Sequence, residues 1–500
     1  MNMRLLAQLI VVPVAIVVSA CAPPRPDPFT GWFEPYRDCR ERYAEIDARI
    51  DAAGVRDASF YRVPGYPYLR TDRTLASFAD EVRTIDEVGG WLRHMREYDQ
   101  ESRDYELINL GLPLSERAWW RDKLRDCGRG LAAIELSEPE QIDRLRTVVA
   151  PPDLYAGAIR ALGLDLLMRP FLEAELAARR DRLLAAFAGD AGAGRSDGTL
   201  WTVDAQEDPA KLDGGFAAAV PDELGYPGFL LSHWRALAER YAPALRVAVD
   251  SPMAHPGAPV WTEDGIAVDP RRAEVYYRIT FARTGDERLV QLNYFFWFQR
   301  RQDAGVAPID GFIWRVTLNA SGERLAYERL HMSGGEVLWF PAHRLHARQP
   351  EAPVRAPLVP QPWTPEGPIV LDLAGDGHAL RHVGPLDETA ANRPLRRYRL
   401  VAYEDLYTLP LPGGGSRSLF GPDGIVPGTE SRSPSWLLTL AGVRAPGALK
   451  QIGHHPVAYL SRAHFDDVDL IDHYFLRSDD TMTASRDTGA AVPRAQSRPE

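Results

Sequence analysis

Cysteine is scarce in this 500-residue chain, occurring three times, at Cys21, Cys39 and Cys127. Basic charge is carried almost wholly by arginine, and it does not balance the acids: the formal net charge is −11. A broad positive field is therefore absent, which excludes nucleic acid as the expected partner. Long apolar runs are also missing. The longest, Leu5 to Val18, falls short of the roughly 20 residues that cross a bilayer as a helix, and Pro13 interrupts it, which argues against a permanent transmembrane anchor. Disorder is excluded by the opposite kind of evidence, because 45% hydrophobic residues over this length supply real cores for two or three domains.

What is present at the N-terminus has a recognisable order. Arg4, the apolar run and the small residues Ser19 and Ala20 before Cys21 form the three-part layout of a secretory signal peptide over residues 1–20. Val18-Ser19-Ala20-Cys21 resembles the bacterial lipobox, whose cysteine is diacylated and becomes the new N-terminus. The resemblance implies lipid attachment at Cys21 and a Pro-rich tether, residues 21–28, that lifts the domain off the membrane. Ala22 is not the aspartate that holds enterobacterial lipoproteins in the inner membrane. The implied address is the envelope of a Gram-negative bacterium, with the outer membrane as destination.

Lipidation of Cys21 leaves Cys39 and Cys127 as a pair in an oxidising compartment, and a disulfide between them is expected. Neither has a histidine nearby in sequence, so the bridge reads as structural.

Periodicity divides the rest of the chain. Residues 29–188 carry apolar positions at spacings of three and four, as in YAEIDARIDAAG and SERAWWRDKLRDCGRGLAAIEL, and predict a helical domain with Ser115 and Ser137 as N-caps. GDAGAGRSDGTL, Gly189–Leu200, breaks that pattern and opens a linker running to residue 215. From 216 to 476 a helical hairpin ending near Ala248 is followed by alternation: AEVYYRITFAR and LVQLNYFFWFQ form a long hairpin, and GFIWRVTLNASGERLAYERL repeats the device. EVLWFP, GPIVLDLA, RRYRLVAYEDL and WLLTLAG are further strand candidates, and FDDVDLIDHYFLR is a closing helix. The polar tail, residues 477–500, reads as disordered. The expected fold class is α+β: a helical N-terminal domain, then a mainly antiparallel β domain with a short C-terminal helix.

Candidate chemistry concentrates late in the chain, since nine of the twelve histidines follow residue 330. His343 and His346, and His378 and His382, lie at spacings that a helical turn would bring together, although both pairs sit in Pro- and Gly-rich surroundings. The densest cluster is GHHPVAYLSRAHFDDVDLIDHYF. Its His454, His455, His464, Asp466, Asp467, Asp469, Asp472 and His473 mix imidazoles with carboxylates as a Zn or other divalent-metal site does. His331, His378, His382, His455 and His464 are the candidate metal ligands, and His455, His464, Asp466 and Asp467 the candidate catalytic groups. The structural alternative gives the same residues a bland role, with Asp466 or Asp467 capping the last helix and Leu470, Ile471, Tyr474 and Phe475 docking it. GRSDG, with Gly194, Ser196 and Gly198, matches the GxSxG elbow of serine hydrolases only formally, because a helix precedes it and a strand follows. Asn293 to Phe298, NYFFWF, would serve as a stacking platform for sugars or peptidoglycan if exposed, and as a buried hairpin otherwise.

PPDLYAGAIRALGL, IDGFIWRVTLNASGERLAYERLH, LFGPDGIVPGTE and GALKQIGHHPVAYLSRAHFDD together resemble a family of proteobacterial envelope proteins to which no activity is assigned. In that family the stretch matching LHMSGGEVLWFP is richer in cysteine and has a second histidine, resembling a metal or disulfide site. Here His331 stands alone, with Ser333, Gly335 and Val337 in the remaining places. Two functional expectations follow: a non-enzymatic envelope protein that binds an envelope component or partner protein, and, as the alternative, a metal-dependent hydrolase with a His/Asp site in the β domain.

Overall fold

A computed structural model of the chain describes residues 34–155, 164–189, 198–208, 212, 215, 219–247, 252–300, 308–350, 355–361, 367–374, 379–386, 395–430, 438–439, 442–457 and 462–477. Cys21, the tether, His378, Ser196 and residues 478–500 lie outside those residues, whereas Arg477, the first residue of the expected tail, belongs to a short strand. The chain is α+β, and its largest element is a ten-stranded sheet.

In chain order the strands of that sheet are β1 (Thr199–Val203), β2 (Ala244–Val247), β3 (Glu274–Thr284), β4 (Glu287–Gln299), β5 (Ile309–Leu318), β6 (Arg324–His331), β7 (Leu338–Pro341), β8 (Ile369–Leu373), β9 (Leu380–Pro385) and β10 (Leu395–Ala402). They lie side by side as β7-β6-β5-β4-β3-β10-β1-β2-β8-β9. The run from β3 to β7 is antiparallel, as alternation and the tight Gly285-Asp286 turn require. Three junctions are parallel instead: β10 against both β3 and β1, and β2 against β8. The sheet is therefore mixed, and β10 is its hinge. Leu395 to Tyr398 pair with β1, whereas Arg399 to Ala402 pair with β3.

Both faces of the sheet are covered. Even-numbered residues of β4, among them Leu292, Tyr294 and Phe296, pack with Phe187 of one helix and Leu237 of another. Odd-numbered ones, Leu289, Phe295 and Trp297, pack with Tyr403, Phe420, Phe465 and Ile471 of the C-terminal segment. Tyr294 to Phe298 are all fully buried, so the aromatic run is core and no platform.

The helices are α1 (Glu34–Ala53), α2 (Arg73–Ser77), α3 (Ile85–Asn109), α4 (Leu114–Glu135), α5 (Pro139–Val148), α6 (Leu164–Gly189), α7 (Leu231–Tyr241) and α8 (Leu470–Tyr474). None among the described residues is long and apolar enough to cross a membrane. The first five surround a core of Tyr43, Ile46, Trp91, Met95, Leu124 and Leu131. This helical layer also contains a hairpin, Tyr61–Val63 with Tyr66–Thr71, where the periodicity suggested only helices. Bonds from Asn109 to the Tyr407 carbonyl (2.8 Å), Tyr61 to the Gly453 carbonyl (3.0 Å) and Thr74 to the Phe281 carbonyl (3.1 Å) fasten the layer over β3 and the C-terminal segment.

Several local expectations are corrected. The predicted helical hairpin ends at Tyr241, because Pro243 disfavours helix before and within its own position; Ala244–Val247 then becomes a sheet strand. Ser115 lies inside α4 and Ser137 outside α5, whose cap is a Glu138–Gln141 capping box. Leu438 and Thr439 of WLLTLAG are helical, not strand. The closing helix has Asp469, not Asp466 or Asp467, at its N-cap position, with no side-chain cap bond, and its last turn runs into a short strand, Phe475–Arg477, paired with Leu345–Ala347.

Cys39 and Cys127 form a disulfide joining α1 to α4, with Cα atoms 5.2 Å apart. Its sequence separation of 88 makes it effective in constraining the unfolded chain, by roughly 4 kcal/mol in the loop-entropy treatment. Replacing both cysteines by alanine should lower the urea midpoint by the equivalent of about 2–4 kcal/mol. Hydrogen exchange should locate the loss in α1, α4 and the hairpin, not in β3 to β6.

Candidate functional site

Four adjacent strands, β3 to β6, carry a feature that their burial does not explain. On the face turned toward the helical layer, Arg278, Asn293, Arg315 and Glu328 stand directly opposite one another across β3, β4, β5 and β6. The next row holds Thr280, Gln291 and Thr317. Apolar rows flank them: Tyr276, Phe295, Ile313 and Leu330 on one side, Ala282 and Leu289 on the other. A polar band thus crosses an otherwise apolar surface.

The band is wired together. Arg315 Nε donates to Asn293 Oδ1 (2.8 Å) and Nη1 to the Phe465 carbonyl (2.8 Å), and the guanidinium lies 3.4 Å from the Phe465 ring centre. Asn293 Nδ2 donates to Thr280 Oγ1 (2.9 Å), and that hydroxyl donates to Gln291 (3.1 Å). Burial pushes the Glu328 carboxyl up to about 7, against the pull of Arg315, and burial lowers Arg315 itself.

The Arg278 end of the band opens into a cleft of about 720 Å³ between the helical layer, β3 and α7. Three elements shape its rim. Asp72 caps α2 through Leu75 N–H (2.7 Å) and accepts from Tyr98 (3.2 Å), which fixes the chain where the hairpin hands over to the helix. Phe60 stacks on Tyr98 at 3.7 Å, and α3 presents His94, Tyr98 and Glu101 at helical spacing. From the C-terminal segment, Asp466 lies 3.3 Å from Arg73 Nε, and its Oδ1 is buried without a hydrogen-bond partner.

Arg278 is the central cation. Its side chain is 12% exposed, Nη1 donates to the Tyr407 hydroxyl (2.7 Å) and lies 3.3 Å from Glu404, and the guanidinium stacks 5.1 Å from Phe60. Nε and Nη2 make no hydrogen bond among the described residues. Facing it, Asp72 and Glu101 are both pushed up by burial; the neighbouring Asp466 raises Asp72 further, while Arg278 lowers Glu101 and Glu404 raises it. The cleft therefore pairs strongly held cations with carboxylates poised above their ordinary range.

The residues singled out from sequence are distributed differently. His455 is fully buried, with Nε2 3.0 Å from the Met332 carbonyl, and burial holds it well below its ordinary value. His454 Nε2 meets the Ala58 carbonyl at 2.7 Å. His464 lies between Asp467 (3.3 Å) and Asp153 (3.6 Å), and Asp467 accepts its backbone N–H (2.7 Å). His331 is held by Asp310 (2.8 Å) and Ser333 (2.7 Å) at one end of the sheet, whereas His382 meets Asp372 (3.3 Å) at the other. His343, His346 and His473 are exposed. Among the described residues no three His, Cys, Asp or Glu groups converge as metal ligands. Of the sequence candidates only Asp466 lines the cleft.

A second cavity, of about 790 Å³, lies around Asp57, Asp153, His454 and Lys450. Its lysine is already engaged: Lys450 Nζ donates to the carbonyls of Ser333, Ala445 and Ala448 at 3.2, 3.1 and 2.9 Å. The first cleft is the stronger site. Arg278, Glu101 and Glu404 escaped sequence reading because single charged residues in strand and helix patterns carry no spacing signal; the one available hint was the arginine interrupting AEVYYRITFAR.

His94 offers a solution test. Burial pulls its pKa down, but hydrogen bonds to Asp222 (3.0 Å) and Glu97 outweigh that and hold it at about 9. A folded-state value above the unfolded 6.5 gives stability that is complete below pH 6.5 and lost as pH rises through 9. His94→Gln should therefore melt below the parent at pH 6, with the difference vanishing by about pH 10. A pH-independent difference would remove the ion pair from the account. Comparisons with protein-family models, with curated proteins and with solved structures find no match, so what the cleft takes has to be argued from its own chemistry.

Proposed function

We propose that this chain is a lipid-anchored binding protein of the bacterial envelope, tethered through Cys21 at a membrane facing the periplasm or the surface, and belonging with the envelope proteins it resembles. A helical module and a mainly antiparallel β module enclose the cleft, which takes a polar ligand bearing a carboxylate. One observation carries the ligand reading: among the described residues Arg278 keeps Nε and Nη2 without a hydrogen bond while its remaining contacts fix its orientation, the arrangement that favours forked recognition of a carboxylate. Phe60, Tyr98, Tyr277 and Trp234 supply flat apolar walls, and Asp72, Glu101 and Glu404 supply acceptors for hydroxyls or amides. The compartment reading rests on the lipobox-type sequence and on the disulfide, which suits an oxidising space.

Two measurements test the proposal. Cys21→Ser should move the protein from the detergent phase to the aqueous phase on partitioning, and abolish labelling by radioactive palmitate; unchanged partitioning would refute the anchor. For the cleft, the full chain in detergent is titrated with N-acetylalanine, N-acetylmuramic acid and galacturonic acid by calorimetry. At least one should bind, and Arg278→Met should weaken it about 10- to 100-fold, as expected for charge-assisted hydrogen bonds of roughly 1.5–3 kcal/mol, with Arg278→Lys intermediate. Binding unaltered by either variant, or no binding of any of the three, would overturn the carboxylate reading.

A further inference from the structure

The cleft has a shape that a pocket on a sheet face cannot have. Its lining includes five consecutive residues of β3, Tyr277 to Phe281, so it touches both sides of one strand. A cavity can wrap a strand only where one edge is unpaired. That is the situation here: pairing of β3 with β10 ends at Tyr277 opposite Ala402, after which β10 turns away into the helical turn Tyr403–Thr408. At the far end the edge is closed again, because Arg283 N–H donates to the Val468 carbonyl at 2.8 Å. Between these stops the outer edge of residues 278–282 has no strand beside it among the described residues, a gap of roughly 17 Å at about 3.3–3.4 Å per residue.

The alternation of β3 decides what the gap presents. Arg283 N–H and the Phe281 carbonyl, the latter accepting from Thr74 Oγ1 at 3.1 Å, both point away from β4. Odd-numbered residues therefore direct their main chain outward, and the N–H and C=O of Ile279 and the N–H of Phe281 face the cleft. No bond to any of the three exists among the described residues. Unmet backbone groups lining a protein cavity are costly unless water or a ligand meets them. Their spacing, an N–H and C=O on one residue and an N–H two residues on, is that of a strand awaiting its neighbour.

We infer that the ligand is a short extended peptide, about four residues long, that adds to the free edge of β3 between Ala402 and the point where Thr74 Oγ1 meets the Phe281 carbonyl. The inference deepens the carboxylate reading and rests on it. With its terminal carboxylate on Arg278, at the Ala402 end, the peptide runs antiparallel to β3. Its backbone meets Ile279 and Phe281, and its side chains alternate between two unlike walls. One wall is apolar, made by Tyr277, Phe281 and Trp234; the other is charged, made by Arg73 and Asp466. Main-chain pairing would give affinity with little sequence preference, and the carboxylate would fix register.

The probe is acetyl-tetraalanine with a free carboxylate, titrated into the full chain in detergent alongside its carboxamide and two versions N-methylated at the second or the third residue. Strand addition predicts a period of two: one methylated peptide binds about tenfold or more weakly because an edge hydrogen bond is lost, and the other binds as the parent does. The carboxamide should also weaken about tenfold. Ile279→Pro removes an outward N–H without touching the β4 ladder, a place where an edge strand tolerates proline. It should abolish tetraalanine binding while leaving the melting temperature intact. Equal binding of both methylated peptides would overturn strand addition, as would tight binding of small carboxylates with none of tetraalanine, which leaves the carboxylate site standing. Absence of both kinds of binding would remove both readings. Should the proline variant fail to fold, the methylated pair decides alone.

Discussion

Everything at the cleft depends on how one strand divides its hydrogen bonds. β10 is eight residues long and satisfies two different neighbours in turn, β1 with its first half and β3 with its second. This joins two sub-sheets of opposite construction: an antiparallel set built from long hairpins, and a mixed set assembled from short strands distant in sequence. Because Leu395 to Tyr398 must stay with β1, β10 has only four residues left for β3, which is eleven residues long. The mismatch makes an open edge unavoidable. Burying that edge under a helical layer converts it from an aggregation liability into the wall of an enclosed site.

The helical layer is held at a fixed height over that edge by buried charge. Arg70, fully buried on the hairpin Tyr66–Thr71, donates twice from Nη2 to Glu106 (2.8 and 2.9 Å) and from Nε to Asp99 (3.1 Å), both on α3. Arg103 of α3 joins the same network and reaches Asp47 of α1. Desolvation opposes the charge on these groups; with Arg70, Arg103 and Arg62 against Glu106, the attraction wins and its carboxyl is held below the ordinary range. Such a network specifies geometry more than it adds stability. The hairpin leads straight into Asp72 and α2, and α3 carries His94, Tyr98 and Glu101, so a register fixed at Arg70 is transmitted directly to the rim of the cleft.

Sequence periodicity located the parts of this design that repeat. The long hairpins β3–β4 and β5–β6, most of the helices, the last helix and the pairing of Cys39 with Cys127 all follow from spacing or from the count of cysteines. Three things did not. The short hairpin Tyr61–Thr71 has too few residues to establish a period of two, and helical patterns on both sides overwhelm it. The helix predicted to run to Ala248 was stopped by Pro243, and the four residues after it joined the sheet through contacts with β1 and β8 that no local pattern encodes. The parallel junctions of β10 were invisible for the same reason, and with them the open edge. The histidine-rich end misled through composition: proximity in sequence placed His455 and His464 near each other, but each ring found its own carbonyl or carboxylate, and His331 and His382 went to opposite ends of the sheet.

The polar band beneath the cleft separates a structural role from a functional one. A row of arginine, asparagine, arginine and glutamate across four buried strands is a poor way to stabilise a sheet, since apolar residues of similar volume usually do as well or better. Every member of a stabilising network would also be fully satisfied. Here Nη2 of Arg315 is buried without a hydrogen-bond partner among the described residues, Glu328 meets Arg315 Nε at a loose 3.4 Å, and the Glu328 carboxyl sits at about 7, where it is as readily neutral as charged.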